Sequence, residues 1–417
     1  MTTQTVENGT WLRDAERTHA AAVWQLSRSA ADRSRLACVD LLRGAAMILM
    51  ALDHTRDFFT DSRFAPEDLA HTTGALFFTR WITHFCAPIF FLLAGTGAYL
   101  ALSRGKSLPE VSKFLWTRGL WLVFLDMTVV GFGWTSIFPF LFGGVLWSLG
   151  WSMVAMAALI RLPLRLIGTF GAAVVLTSDL LDRVNPAFFG KFAGLWVIVH
   201  GHGVFWIEPN KIPFFVLWPL VPWVGVMALG YVLGSLLGRS DWRRIIFGIG
   251  AAMTATFFFL RFFHLFGVAG EQWQVQPSAT VTIMWFLDMR KYPASLRFLL
   301  MTLGPSLMTL AWLGKISTKH RLTKIVAVFG QVPLFYYVIH IYVIRTLAVY
   351  TAMLFKQKAA WLLYGGFMVQ PRPVGYGHSL PFIYGMWFAV VLFMYPLCKG
   401  FLKIKQQHPN WWWLRYL

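Results

Sequence analysis

Apolar runs of about twenty residues alternate with short polar segments along most of the chain. At 1.5 Å of rise per residue, a helix of about this length crosses the hydrocarbon core of a bilayer. The pattern predicts an all-α polytopic membrane protein with about ten transmembrane helices. The predicted spans are 36–54, 81–102, 119–138, 144–160, 166–181, 213–237, 245–265, 295–314, 325–351 and 380–399.

The composition and the charge distribution agree with this fold class. Of 417 residues, 57% are hydrophobic and only 13% are charged, whereas a soluble chain is about one quarter charged. The net charge of +19 lies mainly between the spans, which indicates membrane topology and not nucleic-acid binding. With the N-terminus inside, the inner segments hold 22 Lys and Arg and the outer segments hold 11. We therefore expect both termini in the cytoplasm.

The spans divide the chain into three predicted parts. Residues 1–34 form a cytoplasmic N-terminal segment, residues 35–402 a transmembrane domain, and residues 403–417 a cytoplasmic tail. The tail is rich in aromatic and basic residues, which suits contact with lipid headgroups. The three cysteines lie in apolar stretches and indicate neither a disulfide framework nor a CxxC metal site.

The first span carries more ionisable residues than a lipid-facing helix tolerates. Its sequence is RLACVDLLRGAAMILMALDHTRD. At 100° per residue, Asp40, Arg43 and His54 share one face, and Asp53 and Asp57 form an i,i+4 pair beside it. An Asp40–Arg43 ion pair alone would fit a structural role equally well. Because His54 lies on the same face, we expect the stripe to line a functional tunnel.

The second span adds two ionisable residues at the same depth. Arg80 and His84 lie one helical turn apart, near the outer end and level with His54. An arginine at this depth is commonly an interfacial side chain that reaches the headgroups. The convergence of Asp53, His54, Arg80 and His84 at one level favours a site instead.

Three further residues shape the second span. Pro88 follows His84 by four residues and is placed to bend the helix. Gly95 and Gly97 are expected to allow close approach of a neighbouring helix.

Several stretches resemble the heparan-α-glucosaminide N-acetyltransferase catalytic-domain family, in its bacterial branch, within the wider transmembrane acyltransferases. The first motif, RLACVDLLRGAAMILMALDH, resembles the signature R-x-x-x-x-D-x-x-R-G…H. The resemblance extends over about residues 35–410. The other stretches that carry it are TRWITHFCAPIFFLLAGTGAYL, KYPASLRFLLMTLGPSL, GQVPLFYYVIHIYVI and GYGHSLPFIYGMWFAVVLFMYPLCKGF.

The resemblance implies an acyltransferase of the bacterial cytoplasmic (inner) membrane. Its donor would be cytoplasmic acetyl-CoA or another acyl-CoA, and its acceptor a sugar or glycan hydroxyl or amine across the membrane. Membrane lipid would surround it, and a two-fold homodimer is the default assembly. The alternative is a transporter or flippase for an anionic or lipid-linked solute, but no internal repeat supports that class.

The resemblance leaves the catalytic histidine open among His54, His71 and His84. The lysosomal relative keeps its proposed catalytic histidine in the loop after the first motif helix and has asparagine near the position of His54. We favour His54 because it shares a face with Arg43 and because the wider acyltransferase families end the first motif helix with histidine. His71 lies in the polar stretch EDLAHTTG, where a solvated histidine is expected.

The chemistry of acyl transfer assigns a role to each candidate catalytic residue. A histidine with a pKa near 6.5 can take the proton of an attacking hydroxyl at neutral pH. Asp53 or Asp57 would orient the His54 imidazole. Arg80 or His84 would stabilise the charge that develops on the carbonyl oxygen.

Cations near the inner ends of the first helices can bind the phosphates of CoA. The candidates are Arg43, Arg104, Lys106, Lys113 and Arg118. The predicted donor site comprises Arg43 with its neighbour Asp40, and Arg118. No metal is expected, because HExxH and similar motifs do not occur, and GxGxxG and Walker-type motifs do not occur either.

For the ionisable residues in later spans, the sequence gives weaker evidence of a functional role. His340 lies in the middle of a span, where a structural role and a site role are equally plausible. For Arg261 and Arg345 we expect Asp126 and Asp179 as packing partners.

Overall fold

The computed structural model describes residues 37–138, 141–206, 213–267, 272–316 and 320–417. The predicted N-terminal segment, 1–34, lies outside these ranges. Within them the chain is mostly helical.

The α-helices follow the apolar runs of the sequence. The first, α1, covers residues 37–59. The others are α2 (Gly74–Thr83), α3 (Cys86–Ser103), α4 (Leu108–Leu125), α5 (Gly131–Thr135), α6 (Val145–Leu159), α7 (Leu164–Thr177), α8 (Ala193–Val199), α9 (Trp223–Leu237), α10 (Trp242–Phe262), α11 (Ala279–Leu287), α12 (Leu296–Leu313), α13 (Arg321–Gln331), α14 (Pro333–Leu354), α15 (Ala360–Leu363) and α16 (Leu380–Gln407).

Many of these helices have the length and apolar character of membrane spans. Seven described helical segments are long and apolar enough to cross a membrane: Gly74–Ser103, Leu108–Thr135, Leu164–Arg183, Trp242–Phe262, Leu296–Leu313, Pro333–Leu354 and Leu380–Gln407. Three shorter apolar helices are Val145–Leu159, Pro186–Val199 and Trp223–Leu237. Each of the ten predicted spans overlaps one of these helices or α1. The predicted helical membrane fold is thereby confirmed.

Proline residues interrupt two of the predicted spans. Helical hydrogen bonding is interrupted at His84 and Phe85, between α2 and α3, although both residues keep helical dihedral angles, because Pro88 has no N–H to bond the carbonyl of His84. In the ninth span, α13 ends before Val332 and α14 begins at Pro333, where a proline suits the first helical turn. The second span thus lies within one apolar helical segment, Gly74–Ser103, whereas the ninth is divided at Val332, whose dihedral angles are not helical.

A small sheet replaces helix at the start of the sixth predicted span. Strand β3 (Pro213–Val216) lies between β1 (Leu141–Gly143) and β2 (Gly203–Trp206). It runs parallel to β1 and antiparallel to β2. Helix α9 begins only at Trp223, because prolines at 219 and 222 interrupt helical hydrogen bonding before it.

Helix α1 lies in the interior, against α13, α14 and α16. An added Cβ at Gly44 would lie 2.0 Å from a backbone oxygen of α13, and one at Gly330 would lie 1.9 Å from a backbone oxygen of α1. These two glycines therefore let the backbones of α1 and α13 touch. On another side, Trp387 Nε1 of α16 donates to the Ile48 carbonyl at 2.9 Å.

Helices α3 and α9 approach in the same manner. An added Cβ at Gly95 would lie 1.9 Å from the Met227 oxygen, and Thr96 Oγ1 donates to the Gly230 carbonyl at 2.9 Å. The predicted close approach at Gly95 is confirmed. At Gly97 it is wrong, because an added Cβ there would meet nothing within 4 Å.

The predicted pairing of Asp126 with a buried arginine is wrong. Asp126 Oδ2 accepts from the Trp147 N–H at 2.8 Å, at the N-terminus of α6, where the helix dipole favours a carboxylate. Arg345 instead donates to the carbonyls of Phe132 at 3.0 Å and Gly133 at 3.2 Å. Asp126 and Arg345 thus form hydrogen bonds with backbone groups, whereas the sequence had suggested ion pairs for them.

The contrast between Gly95 and Gly97 generates a test of the helix packing. Gly95→Ala should lower the free energy of unfolding by about 1–3 kcal/mol, because the added methyl overlaps a backbone oxygen that cannot easily move. Gly97→Ala should leave stability unchanged or raise it by up to about 1 kcal/mol through better helix propensity. Thermal unfolding of both variants in one detergent checks this. Equal effects at the two positions would contradict the α3–α9 contact.

Candidate functional site

A cavity of about 210 Å³ lies at the C-terminal end of α1, and we call it the His54 cavity. Its polar wall includes Asp53, His54 and Asp57 from α1 and Arg80 from α2. Much of the remaining wall is aromatic: Phe90, Trp134, Phe142, Trp218, Tyr292, Tyr337 and Phe367. The cavity can therefore hold a small ligand against ring faces beside a set of charged groups.

Two arginines, Arg56 and Arg80, line this cavity, and both are ion-paired. Arg80 Nη1 lies 2.5 Å from Asp53 Oδ2, and Arg80 Nε lies 2.6 Å from Glu67 Oε1. Arg56 Nη2 lies 3.0 Å from Asp53 Oδ1 and 2.5 Å from Asp57 Oδ1. Buried charges require such partners, because desolvation penalises each of them. The predicted meeting of Asp53 with Arg80 is confirmed.

Glu67 enters this network from the loop between α1 and α2. Its burial acts to raise the pKa of its carboxyl, but the positive charge of Arg80 holds that pKa well below the ordinary value. Glu67 therefore remains ionised and keeps Arg80 engaged. His84 Nε2 lies 3.5 Å from the same carboxylate.

His54 is held by a second histidine, His340 of α14. His54 Nδ1 lies 2.7 Å from His340 Nε2, and His340 Nδ1 lies 2.9 Å from the Tyr336 carbonyl. A carbonyl only accepts, so His340 Nδ1 carries a hydrogen and donates it. In the neutral pair, His340 Nε2 then accepts from His54 Nδ1, and His54 Nε2 has no hydrogen. The His54 ring also packs edge-on against Trp134, with centroids 4.8 Å apart.

The other two candidate histidines lie elsewhere. His71 is exposed, and its Nδ1 lies 2.7 Å from Asp68 Oδ2. His84 is buried against Phe298, with ring centroids 5.5 Å apart. Of the three candidates, His54 lines the His54 cavity, whereas His71 and His84 do not. None of the three lines the other cavity, at the N-terminal end of α1.

The predicted orientation of His54 by Asp53 or Asp57 is wrong in one respect. Neither carboxylate makes a hydrogen bond to the imidazole among the described residues, since both are turned to Arg56 and Arg80. His340 holds the ring instead. Asp53 and Asp57 still lie on the cavity wall, where their charges act on His54.

A second cavity, of about 360 Å³, lies at the N-terminal end of α1, and we call it the Arg43 cavity. Four cations line it, and no Asp or Glu is among its described lining residues. Its deeper wall is mostly Leu, Val, Ala and Met. A positively charged rim over an apolar interior suits an anionic headgroup with a less polar chain. The cations are Arg43, Lys106, Arg118 and Lys405.

Some of the predicted donor-site residues line the Arg43 cavity and others do not. Arg43 Nη1 donates to the Gly330 carbonyl at 2.8 Å and to Asp40 Oδ1 at 3.2 Å. Asp40 does not line the cavity, so it positions Arg43. Arg118 lines the cavity as predicted, whereas Arg104 and Lys113 lie outside its wall.

The two cavities share a wall. Phe90, Val145 and Tyr337 line both of them. Arg43 and His54, eleven residues apart on α1, lie on opposite sides of this shared wall, about 16 Å apart along the helix axis. The structure thus contains two separate cavities with three lining residues in common, and the continuous tunnel expected from the sequence stays a prediction.

Three residues of these cavities were missed or left undecided at the level of sequence. His340 is 286 positions from His54, and no local pattern shows that α14 packs against α1. Lys405 belongs to the predicted headgroup tail, which begins at residue 403, yet α16 continues to Gln407 and brings Lys405 to the Arg43 cavity. Lys291 lies in the KYPASL stretch and lines the His54 cavity.

No metal-binding group was found in the part of the chain that the structure describes. A metal site usually needs three or more converging His, Cys, Asp or Glu side chains, and the described residues contain no such group.

Comparison with known proteins identifies the family. The model of the family described as heparan-alpha-glucosaminide N-acetyltransferase, catalytic, matches residues 35–267. No curated protein matches the chain. The match covers more than half of the chain, including α1 to α10 and with them Arg43 and His54, and it confirms the expected resemblance over this range. The chain belongs to the heparan-α-glucosaminide N-acetyltransferase catalytic family of membrane proteins.

Proposed function

We propose that this protein is an integral-membrane acyltransferase. It takes an acetyl or short acyl group from cytoplasmic acyl-CoA and passes it to a hydroxyl or amine of a sugar or glycan on the opposite side of the membrane. The observation that carries the proposal is the pair of cavities at the two ends of α1, which share the wall formed by Phe90, Val145 and Tyr337. Membership of a family named for an N-acetyltransferase supports the same chemistry.

The Arg43 cavity is the proposed donor site. Its cations can bind the phosphates of CoA by charge-assisted hydrogen bonds, and its apolar interior suits the pantetheine arm. The arm spans about the 16 Å that separate Arg43 from His54 along α1. The thioester would then reach the shared wall beside His54. This side would be cytoplasmic, since Lys106, Arg118 and Lys405 belong to segments assigned inside by their excess of Lys and Arg.

His54 is the proposed general base. The acceptor hydroxyl or amine loses its proton to His54 Nε2 while it attacks the thioester carbonyl. The hydrogen bond to His340 supports the tautomer with Nε2 free. Asp53, held by Arg56 and Arg80, adjoins His54 in the chain, and its charge partly offsets those of the two arginines when the imidazolium forms during the reaction. Collapse of the tetrahedral intermediate expels the CoA thiolate, which regains the proton from His54.

The His54 cavity is the proposed acceptor site. Aromatic rings such as Trp134, Trp218 and Phe367 line it and can pack against the C–H faces of a sugar ring. The charged groups beside them can orient its hydroxyl or amino groups.

Acetyl transfer by the purified protein tests this function. The wild type in lipid nanodiscs, supplied with radiolabelled acetyl-CoA and glucosamine, should release CoA and label the sugar, and His54→Ala should do so far more slowly. If the wild type releases no CoA with glucosamine or with extracted membrane glycans, the transferase function is wrong and the transporter alternative gains weight.

The donor site predicts a selective effect of removing cations. Arg118→Ala should weaken CoA binding by about 10- to 100-fold, because a charge-assisted hydrogen bond contributes about 1.5–3 kcal/mol. Arg43→Ala should weaken it similarly. Lys113→Ala, on the same helix as Arg118 but outside the cavity wall, is the matched control and should bind normally. Calorimetric titration with CoA measures all three; equal losses in Lys113→Ala and Arg118→Ala would contradict this placement.

Loss of the base should affect turnover and not donor binding. His54→Ala should lower kcat by about 10² or more, as removal of a general base does, with the affinity for CoA close to normal. His71→Ala should retain turnover because that side chain is exposed. Near-normal transfer by His54→Ala, with transfer abolished in His71→Ala or His84→Ala, would show that another histidine is the base.

Variants at His340 separate tautomer control from packing. His340→Gln keeps an acceptor for His54 Nδ1–H and should retain more activity than His340→Leu, which removes the acceptor at similar size. Equal kcat values for these two variants would contradict the proposed hydrogen-bond relay.

A further inference from the structure

Lys291 differs from the other cations on the wall of the His54 cavity. Its side chain is buried, at 9% exposure, and Nζ lies 5.3 Å from the ring centroids of both Trp218 and Tyr292. Arg56 and Arg80 are ion-paired, whereas Lys291 has neither a hydrogen bond nor an ion pair through its ammonium to any residue in the described ranges.

A second polar network holds the loop that carries Lys291. Arg290 Nη2 lies 2.5 Å from Asp182 Oδ2, and His200 Nε2 lies 2.9 Å from Asp182 Oδ1. Asp179, which is 3.9 Å from Arg290, accepts from the first N–H of α12 at 3.2 Å. These contacts anchor the backbone on both sides of Lys291. The backbone of Lys291 is therefore fixed, and the rings of Trp218 and Tyr292 hold its ammonium on the cavity wall.

An ammonium in this position has donors that the protein does not use. Contacts with the faces of Trp218 and Tyr292 stabilise its charge by about 0.5–2 kcal/mol, but they do not replace acceptors for its three N–H bonds. Because Lys291 lines the His54 cavity, a ligand in that cavity that places an oxygen near Nζ can accept from these donors.

The two residues predicted to stabilise the carbonyl oxygen are poorly placed for that role. Arg80 is engaged by Asp53 and Glu67. His84 does not line the cavity. Lys291, by contrast, lines the same cavity as His54 and retains free donors.

We infer that Lys291 stabilises the negative charge that develops on the acyl carbonyl oxygen during transfer. This inference rests on the proposed function. As the acceptor attacks, its oxygen or nitrogen bonds to the carbonyl carbon, its proton passes to His54, and the carbonyl oxygen becomes an oxyanion beside Lys291. When the oxyanion reforms the carbonyl, the C–S bond breaks and the CoA thiolate takes the proton from His54. Lys291 keeps its own proton throughout.

Neutral substitutions of Lys291 test the inference. Lys291→Met should lower kcat for acetyl transfer to glucosamine by about 10²–10³, as loss of one preorganised oxyanion donor does. The KM for glucosamine and the affinity for CoA should stay within about threefold, because the interaction forms only in the transition state. Lys358→Met, which removes an exposed lysine, is the matched control and should match the wild type. Lys291→Gln takes the place of Lys291→Met if the latter does not fold, as judged by CoA binding.

The outcomes separate this inference from the proposed function. A folded neutral variant that keeps its kcat would overturn the role of Lys291 while leaving the transferase function intact. A rise in the KM for glucosamine at constant kcat would also overturn it, because Lys291 would then bind the acceptor in the ground state. Absence of CoA release by the wild type would instead refute the proposed function.

Discussion

The structure depends on the pairing of charges along one buried helix. Helix α1 carries six ionisable residues from Asp40 to Asp57, and an unpaired charge in a membrane-embedded helix is costly. Asp40 and Gly330 hold Arg43 at one end. Arg56 and Arg80 hold the carboxylates at the other. These partners come from α2 and α13 as well as from α1, so the charges determine which elements pack around the helix.

The same pairing identifies the groups that remain available for chemistry. On the wall of the His54 cavity both arginines are committed to carboxylates, which leaves His54 with an unprotonated nitrogen and Lys291 with unused donors. A base and a cation facing one cavity are the two groups that acyl transfer needs at the reacting carbonyl. At the other end of α1, the cations of the Arg43 cavity have no carboxylate on its described wall. Fixed pairs therefore position the groups around each cavity, and on the wall of the His54 cavity a base and an ammonium face the space that a ligand would occupy.

The sequence predicted those features that depend on local pattern. Apolar run lengths located ten spans, and helical spacing placed Asp53 and Arg80 at one level and Arg43 with His54 on one face. It failed where the partner is distant or is a backbone group. His340 meets His54 across 286 positions, and Asp126 meets the N-terminus of α6 and not an arginine. Prolines at 219 and 222 also broke a predicted span, and one strand formed where apolar aromatic residues had suggested helix.

The central claim is that a thioester bound from the Arg43 cavity reaches His54 through the shared wall. A cryo-EM structure with a ketone analogue of acetyl-CoA, in which a methylene replaces the sulfur, tests it directly. The account predicts CoA phosphates beside Arg43 and Arg118, the pantetheine arm passing Phe90, Val145 and Tyr337, and the ketone oxygen within hydrogen-bonding reach of Lys291 near His54. Phosphates bound at another surface, or a ketone remote from His54, would contradict the account.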